Sequence, residues 1–137
     1  MRTLLSILIA TTWVSLNEFI RNDLFLGDHW HVHFAQLGID FPNEPVNGAI
    51  WGLWSLCFVS ALNFLLQRWS VLSAAAVGWM FGFPLMWIVV GNLGVLPEGV
   101  LPYAVPWSMF EAVVAVWIMS RLRVHGTTVV DEEKLKK

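Results

Sequence analysis

Four long apolar segments constrain the fold of this 137-residue chain more than any other feature. They cover residues 4–20, 47–67, 70–90 and 104–120. An α-helix needs about 20 residues to cross the hydrocarbon core of a bilayer, and about 17 suffice when it stands upright. The pattern therefore predicts an all-α membrane protein, in which residues 1–123 form a single bundle of four transmembrane helices.

The composition agrees with this prediction and excludes several other classes of protein. Hydrophobic residues make up 57% of the chain and charged residues 13%, about half the charged fraction of a soluble domain. The single cysteine, Cys57, rules out an intrachain disulfide framework and is predicted to pack as a small apolar residue. The net charge of −2 offers no basic surface for a nucleic acid. The expected partner is the lipid bilayer of a cell membrane, inner or plasma.

The basic residues predict the orientation of the bundle. Seven of the eight lie on one side if the N-terminus is cytoplasmic, and only Arg21 lies on the other. The positive-inside rule then places both termini in the cytoplasm, with a polar cytoplasmic tail at 124–137 and an outer amphipathic segment after the first span. No signal-peptidase site of the A-x-A kind follows Ala10, so the first span is interpreted as a retained helix.

Small residues in the second and third spans predict close helix packing. Lipid tails provide no hydrophobic drive for helices to associate, so interfaces favour side chains that let backbones approach. The two stripes lie at different depths. One interpretation is that one stripe packs inside the bundle and the other contacts a partner chain; the alternative is that the glycine spacing occurs by chance, as it often does in apolar helices. The members of the stripes are Gly48 and Gly52 in the second span, and Ala74, Gly78 and Gly82 in the third.

Hydrogen-bonding groups inside the spans also need partners. Pro84 removes a backbone hydrogen bond from the third span and is predicted to kink it near residues 80–81. Trp13 and Trp79 are expected deep in the bundle, where their indole N–H groups require acceptors or a bound ligand.

Two carboxylates are predicted to lie inside the spans, Glu18 in the first and Glu111 in the fourth. A charge inside a bilayer costs about 2.5–3.5 kcal/mol on insertion scales, so each one indicates a site or a pairing. Both belong to the outer half of the bundle, where polar side chains from all four spans are expected to form a ring. Its members are Asn17, Glu18, Arg21, Asn22, Asn47, Asn92 and Glu111.

Two interpretations of this ring are open. In the structural one, Glu18 pairs with Arg21 one turn away, the asparagines cap helix ends, and Glu111 is neutral or bonded to a hydroxyl or an indole. In the functional one, the ring is a small outward-open pocket that binds a ligand or carries a proton. Glu111 distinguishes them best, because its own span contains no basic residue that could neutralise it.

Three histidines alternate in the outer segment, at His29, His31 and His33. An extended segment would place all three on one face, with Asp28 beside them, as ligands for zinc or copper. A helical segment would stack His29 on His33 instead. The competing interpretation is an amphipathic anchor that lies on the membrane surface with its aromatic side down and carries the histidines incidentally.

Three functions follow from these features. The first is a non-enzymatic accessory or interaction subunit that packs against other membrane subunits or forms a homo-oligomer. The alternative is an outward-facing ligand-binding or transport protein, an oligomer in the transport case, that uses the pocket around Glu18 and Glu111. The third is a metal-dependent membrane enzyme that uses the histidine segment. No catalytic signature favours an enzyme.

Overall fold

A computed structural model describes residues 2–124, which are helical over most of their length and contain no strand. The helices are α1 (Arg2–Phe19), α2 (Gly27–Gln36), α3 (Pro45–Leu65), α4 (Val71–Gly82), α5 (Pro84–Asn92) and α6 (Leu101–Val124). A π-helical segment, Ile20–Phe25, continues α1. The predicted polar tail lies, from residue 125 on, outside the described residues.

Four helical stretches in this part of the chain are long and apolar enough to cross a membrane, which agrees in number with the four apolar segments of the sequence. They cover Arg2–Phe25, Pro45–Leu65, Val71–Asn92 and Leu101–Leu122. The first continues five residues beyond its predicted end, and the fourth begins three residues before its predicted start. Both differences lie at the same end of the bundle, which also carries α2 and is called the α2 end below.

The third span breaks at Phe83, between α4 and α5, where the backbone takes φ −105° and ψ −62°. Pro84 has no N–H to continue the ladder, and it begins α5 in the first-turn position that proline favours. The hydrogen bonds Phe83 N to Trp79 O and Trp87 N to Phe83 O, both 2.9 Å, bracket the break. The predicted interruption is therefore present, two to three residues beyond residues 80–81.

The core of the bundle is centred on α1, which packs along α6 and α3, while α6 also packs against α4. Ala10 and Val14 of α1, and Ala112 and Ala115 of α6, are completely buried. Steps of three and four residues place each pair on one face of its helix, and side chains this small let two helix backbones approach closely. The tightest helix pair therefore uses alanines, which the glycine patterns did not reveal.

Gly78 and Gly82 of α4 lie directly against α3. A Cβ added at Gly82 would lie 2.6 Å from Cε2 of Phe58, and one added at Gly78 would collide with the Leu62 side chain. Ala74, one turn before Gly78, is also fully buried. The stripe on the third span thus packs within the bundle, where a larger side chain would push α3 and α4 apart.

One face of α3 has no partner among the described residues. A Cβ added at Gly48 or Gly52 would meet no atom within 4 Å. Elsewhere around the same helix, Leu53 and Cys57 are exposed as well. Cys57, predicted to be a small apolar packing residue of the second span, is exposed, because its position on α3 turns it away from the core.

The two kinds of glycine predict opposite responses to alanine. Gly82→Ala is expected to lower the free energy of unfolding by about 1–3 kcal/mol, because the methyl group overlaps the Phe58 ring. Gly52→Ala should leave it unchanged or raise it by up to about 1 kcal/mol, because alanine favours the helix and meets no neighbour. Unfolding in detergent micelles with increasing dodecyl sulfate, followed by tryptophan fluorescence, measures both. Equal midpoints for the two variants would contradict the close packing at Gly82.

Candidate functional site

Three charged side chains form a buried cluster inside the bundle, here called the charge cluster: Glu18, Arg21 and Glu111. Their exposed fractions are 4%, 2% and 0%. Nη1 of Arg21 donates a hydrogen bond to Oε2 of Glu111 at 3.0 Å, and Nη2 donates to Glu18. The i,i+3 spacing on the helix brings Glu18 to Arg21, while Glu111 comes from α6. One guanidinium therefore forms ion pairs with two carboxylates that belong to different helices.

The position of Arg21 corrects the sequence prediction, which put this residue beyond the first span on the outer side. The helix continues past it to Phe25, and the side chain turns into the bundle. The sequence suggested an end to the span because Arg21, Asn22 and Asp23 are consecutive polar residues. The helix can continue because Glu111 supplies the counter-charge from another helix.

Arg21 lies in the π-helical segment, in which N of Leu26 donates to O of Arg21 at 2.8 Å, five residues back. π-Helical turns are rare and occur frequently at functional sites. The next residue, Asn22, also bonds to the charge cluster: its Nδ2 donates to Oε2 of Glu18 at 2.9 Å and to O of Glu18 at 3.1 Å. Both oxygens of the Glu18 carboxylate are thereby occupied.

The charge cluster is held from the sides by aromatic groups and remains incompletely bonded. Cζ of Arg21 lies 5.3 Å from the ring centroid of Phe83, within the range of a cation–π contact. Nε1 of Trp13 donates to O of Glu111 at 3.1 Å. Nε of Arg21 and Oε1 of Glu111 are buried with no hydrogen-bond partner among the described residues. Such orphaned polar atoms are uncommon and call for an explanation.

The deep tryptophans find the acceptors that the sequence predicts. Besides the bond from Trp13, Nε1 of Trp79 donates to Oγ of Ser108 at 2.9 Å. Nε1 of Trp107 donates to Oδ1 of Asn17 at 3.2 Å, and Nδ2 of Asn17 donates to O of Trp13 at 2.8 Å. Asn17 therefore links α1 to α6 and does not cap a helix end.

A cavity of about 480 Å³, called the cavity below, lies at the α2 end next to the charge cluster. This volume is within the range of small-molecule sites, roughly 300–1,000 Å³. Four predicted ring residues line it: Glu18, Arg21, Asn22 and Asn47. Six aromatic rings line it as well, from Phe19, Trp30, Phe34, Phe41, Trp51 and Trp87.

The other three predicted ring residues lie elsewhere. Asn17 and Glu111 are buried within the bundle and do not line the cavity. Glu111 bonds to Arg21 of the cavity wall, and Asn17 bonds to Trp107 of α6. Asn92 is the last residue of α5, where it is exposed and contributes nothing to the cavity. Of the seven predicted ring residues, four therefore line the cavity, two are buried behind it, and one is an unrelated surface residue.

The outer segment is the helix α2, and its aromatic side covers the cavity. Trp30 and Phe34 line the cavity, and the Phe34 ring lies 5.3 Å from the ring of Phe41. His33 ties α2 to the loop after α5 through a hydrogen bond of 2.9 Å between Nε2 and the Gly94 carbonyl oxygen. The aromatic side of α2 therefore faces the cavity, and not the membrane surface as the sequence led us to expect.

The helical form of α2 separates the three histidines that an extended strand would align. His31 points about half a turn away from His29 and His33. Its ring packs 4.9 Å from that of Phe41. Across residues 2–124, no group of three or more His, Cys, Asp or Glu side chains lies close enough to hold a metal ion.

Sequence reasoning missed the aromatic wall of the cavity. Trp30 and Phe34 are four residues apart, a spacing that puts them on one face of a helix, and this was the available signal. Trp51, Trp87 and Phe41 come from distant segments that the fold brings together at the α2 end. No pattern in the sequence links those three.

No protein-family model, no curated protein and no solved structure matches the chain. The charge cluster and the cavity are therefore the features from which function is inferred.

Proposed function

We propose that this chain is a membrane-embedded protein that binds a small molecule in the cavity, for recognition or for transport as an oligomer. One observation carries the proposal: an aromatic cavity of about 480 Å³ whose wall includes two buried ions, Glu18 and Arg21, from inside a candidate span. A charge there costs about 2.5–3.5 kcal/mol, and a buried ion pair stabilises a fold no better than apolar side chains do. A ligand-binding role accounts for their presence.

The predicted orientation supports the same proposal. With both termini cytoplasmic, the α2 end faces outward, and the cavity opens on that side of the membrane. Asp23 and Glu44 line the cavity and are exposed, so part of the wall reaches the surface. A ligand then enters from outside and comes to rest beside the charge cluster.

Two glycines of α3 provide a matched test. Gly48 lines the cavity and Gly52, one turn further, does not, yet neither would bring a Cβ near any atom. Phenylalanine at either position should therefore fold, but only Gly48→Phe should fill the cavity. We expect Gly48→Phe to weaken ligand binding by at least about tenfold and Gly52→Phe to leave it unchanged.

The measurement is thermal stabilisation of the purified protein in a nonionic detergent by a library of neutral, cationic and anionic aromatic fragments. Fragments that stabilise the wild type and Gly52→Phe, but not Gly48→Phe, support binding in the cavity. Equal stabilisation of all three proteins contradicts it. Loss of a co-purifying membrane partner in Gly52→Phe, when no fragment stabilises the wild type, favours the accessory-subunit function instead, because that residue belongs to the unpartnered face of α3.

A further inference from the structure

The charged residues on the wall of the cavity are mostly acidic. Glu18, Asp23 and Glu44 contribute carboxylates, and Arg21 contributes the one guanidinium. No lysine or histidine of residues 2–124 lines the cavity. In the same part of the chain, neither Asp23 nor Glu44 takes part in a salt bridge. Their negative charge is therefore available to a ligand at the open part of the wall.

Arg21 does not provide a docking point for an anionic ligand. Nη1 and Nη2 donate to Glu111 and Glu18, two carboxylates for one guanidinium. The Nε atom is buried and out of reach of a molecule in the cavity. An anionic ligand would meet carboxylates that repel it and a guanidinium that is already engaged.

The rest of the wall suits the apolar body of a cation. Six aromatic rings contribute to it, and two of them, Trp30 and Phe34, belong to α2. Aromatic faces attract cations through their quadrupole, and tryptophan does so most strongly. The same faces pack against hydrocarbon. Negative charge at the rim and aromatic rings inside are complementary to a ligand that joins a positive charge to an apolar body.

We infer that the ligand of the cavity is an organic cation, an amine or quaternary ammonium group on an apolar body; this inference rests on the proposed ligand-binding function. The cationic group lies between the carboxylates of Asp23 and Glu44 and the aromatic rings, and the apolar body fills the remainder of the cavity. Glu18 adds negative charge at the inner end of the wall. Recognition then combines charge with aromatic contact and needs no metal.

A set of three probes of nearly equal shape tests the charge. They are (2-naphthylmethyl)trimethylammonium, its uncharged isostere 2-neopentylnaphthalene, and the anion 2-naphthylmethanesulfonate. Each is titrated calorimetrically into the purified protein in a nonionic detergent, with detergent alone as the blank for micelle partition. We expect the cation to bind at least about tenfold more tightly than either other probe, and added salt to weaken only the cation.

Variants of the wall assign the preference to residues. Asp23→Asn with Glu44→Gln is expected to reduce the cation's advantage over its uncharged isostere by about three- to tenfold, with the isostere's own affinity unchanged. Asp28→Asn is the matched control, because it removes an exposed carboxylate from the α2 end of the bundle but not from the cavity. It should leave the ratio as in the wild type.

The outcomes separate this inference from the proposed function. Equal binding of the three probes, or tighter binding of the isostere or the anion, overturns the cation inference; if Gly48→Phe abolishes that binding, the cavity is still the site. A cation preference that is undiminished in the Asp23→Asn/Glu44→Gln variant also overturns the inference. Binding of none of the probes to the wild type overturns the cation inference, and the proposed function is then decided by the fragment library and the Gly48→Phe and Gly52→Phe variants.

Discussion

Replacing Arg21 with methionine is expected to lower the free energy of unfolding by about 3–5 kcal/mol, one of the two largest effects that the structure predicts. The arginine is the counter-charge of both Glu18 and Glu111, and all three residues are buried. Without it, two carboxylates remain inside the bundle with no cation. The contact with Phe83 is lost as well, and so is one of the hydrogen bonds that link the first and fourth candidate spans.

The measurement is unfolding by dodecyl sulfate in detergent micelles, together with the folded yield by size-exclusion chromatography. Arg21→Lys keeps a positive charge but cannot donate along two fixed directions, so we expect an intermediate loss. Arg68→Met is the control, because this arginine is exposed in the turn between α3 and α4; it should change stability by no more than about 0.5 kcal/mol. If Arg21→Met were as stable as Arg68→Met, the charge cluster would not be a buried one.

The spans could be predicted from the sequence, because their length and apolarity depend only on neighbouring residues. The predicted ends of the spans were less accurate where a polar side chain forms its hydrogen bond with a residue far away in the sequence. Arg21 suggested the end of the first span, yet it stays inside because a residue 90 positions later accepts its hydrogen bond. Local patterns contain no information about such a pairing. The same reasoning explains why an interruption of the third span was expected, near residues 80–81, since Pro84 acts on its own helix; the break itself lies at Phe83.

Four of the seven predicted polar residues line the cavity, whereas Asp23, Glu44 and the aromatic rings of its wall were not predicted. Glu18 and Glu111 were recognised because charge inside an apolar segment is rare. Aromatic residues are common in all four spans, so the sequence could not distinguish Trp87, on the cavity wall, from an exposed residue such as Trp117. That distinction depends on which helix faces meet. The spacing of the histidines was ambiguous for another reason: a strand and a helix give opposite groupings.

Replacing Phe83 with alanine is expected to cost about 2–4 kcal/mol, the other large effect. The side chain is completely buried at the break between α4 and α5. Its ring packs edge to face against Trp54 and Phe58, each at 5.3 Å, and lies under the Arg21 guanidinium. Lipid is as apolar as the bundle interior, so the loss comes from the empty volume and the broken aromatic and cation–π contacts.

Phe81→Ala is the matched control for this substitution, since Phe81 lies two residues away in the same candidate span but is 67% exposed. It should change the free energy of unfolding by no more than about 0.5 kcal/mol. Phe83→Leu retains most of the apolar volume and loses the ring, so the difference between Phe83→Leu and Phe83→Ala measures the volume alone. Because the ring supports Arg21, Phe83→Leu should also cost more in the wild type than in an Arg21→Met background. Identical costs in the two backgrounds would show that Phe83 stabilises the bundle independently of the charge cluster.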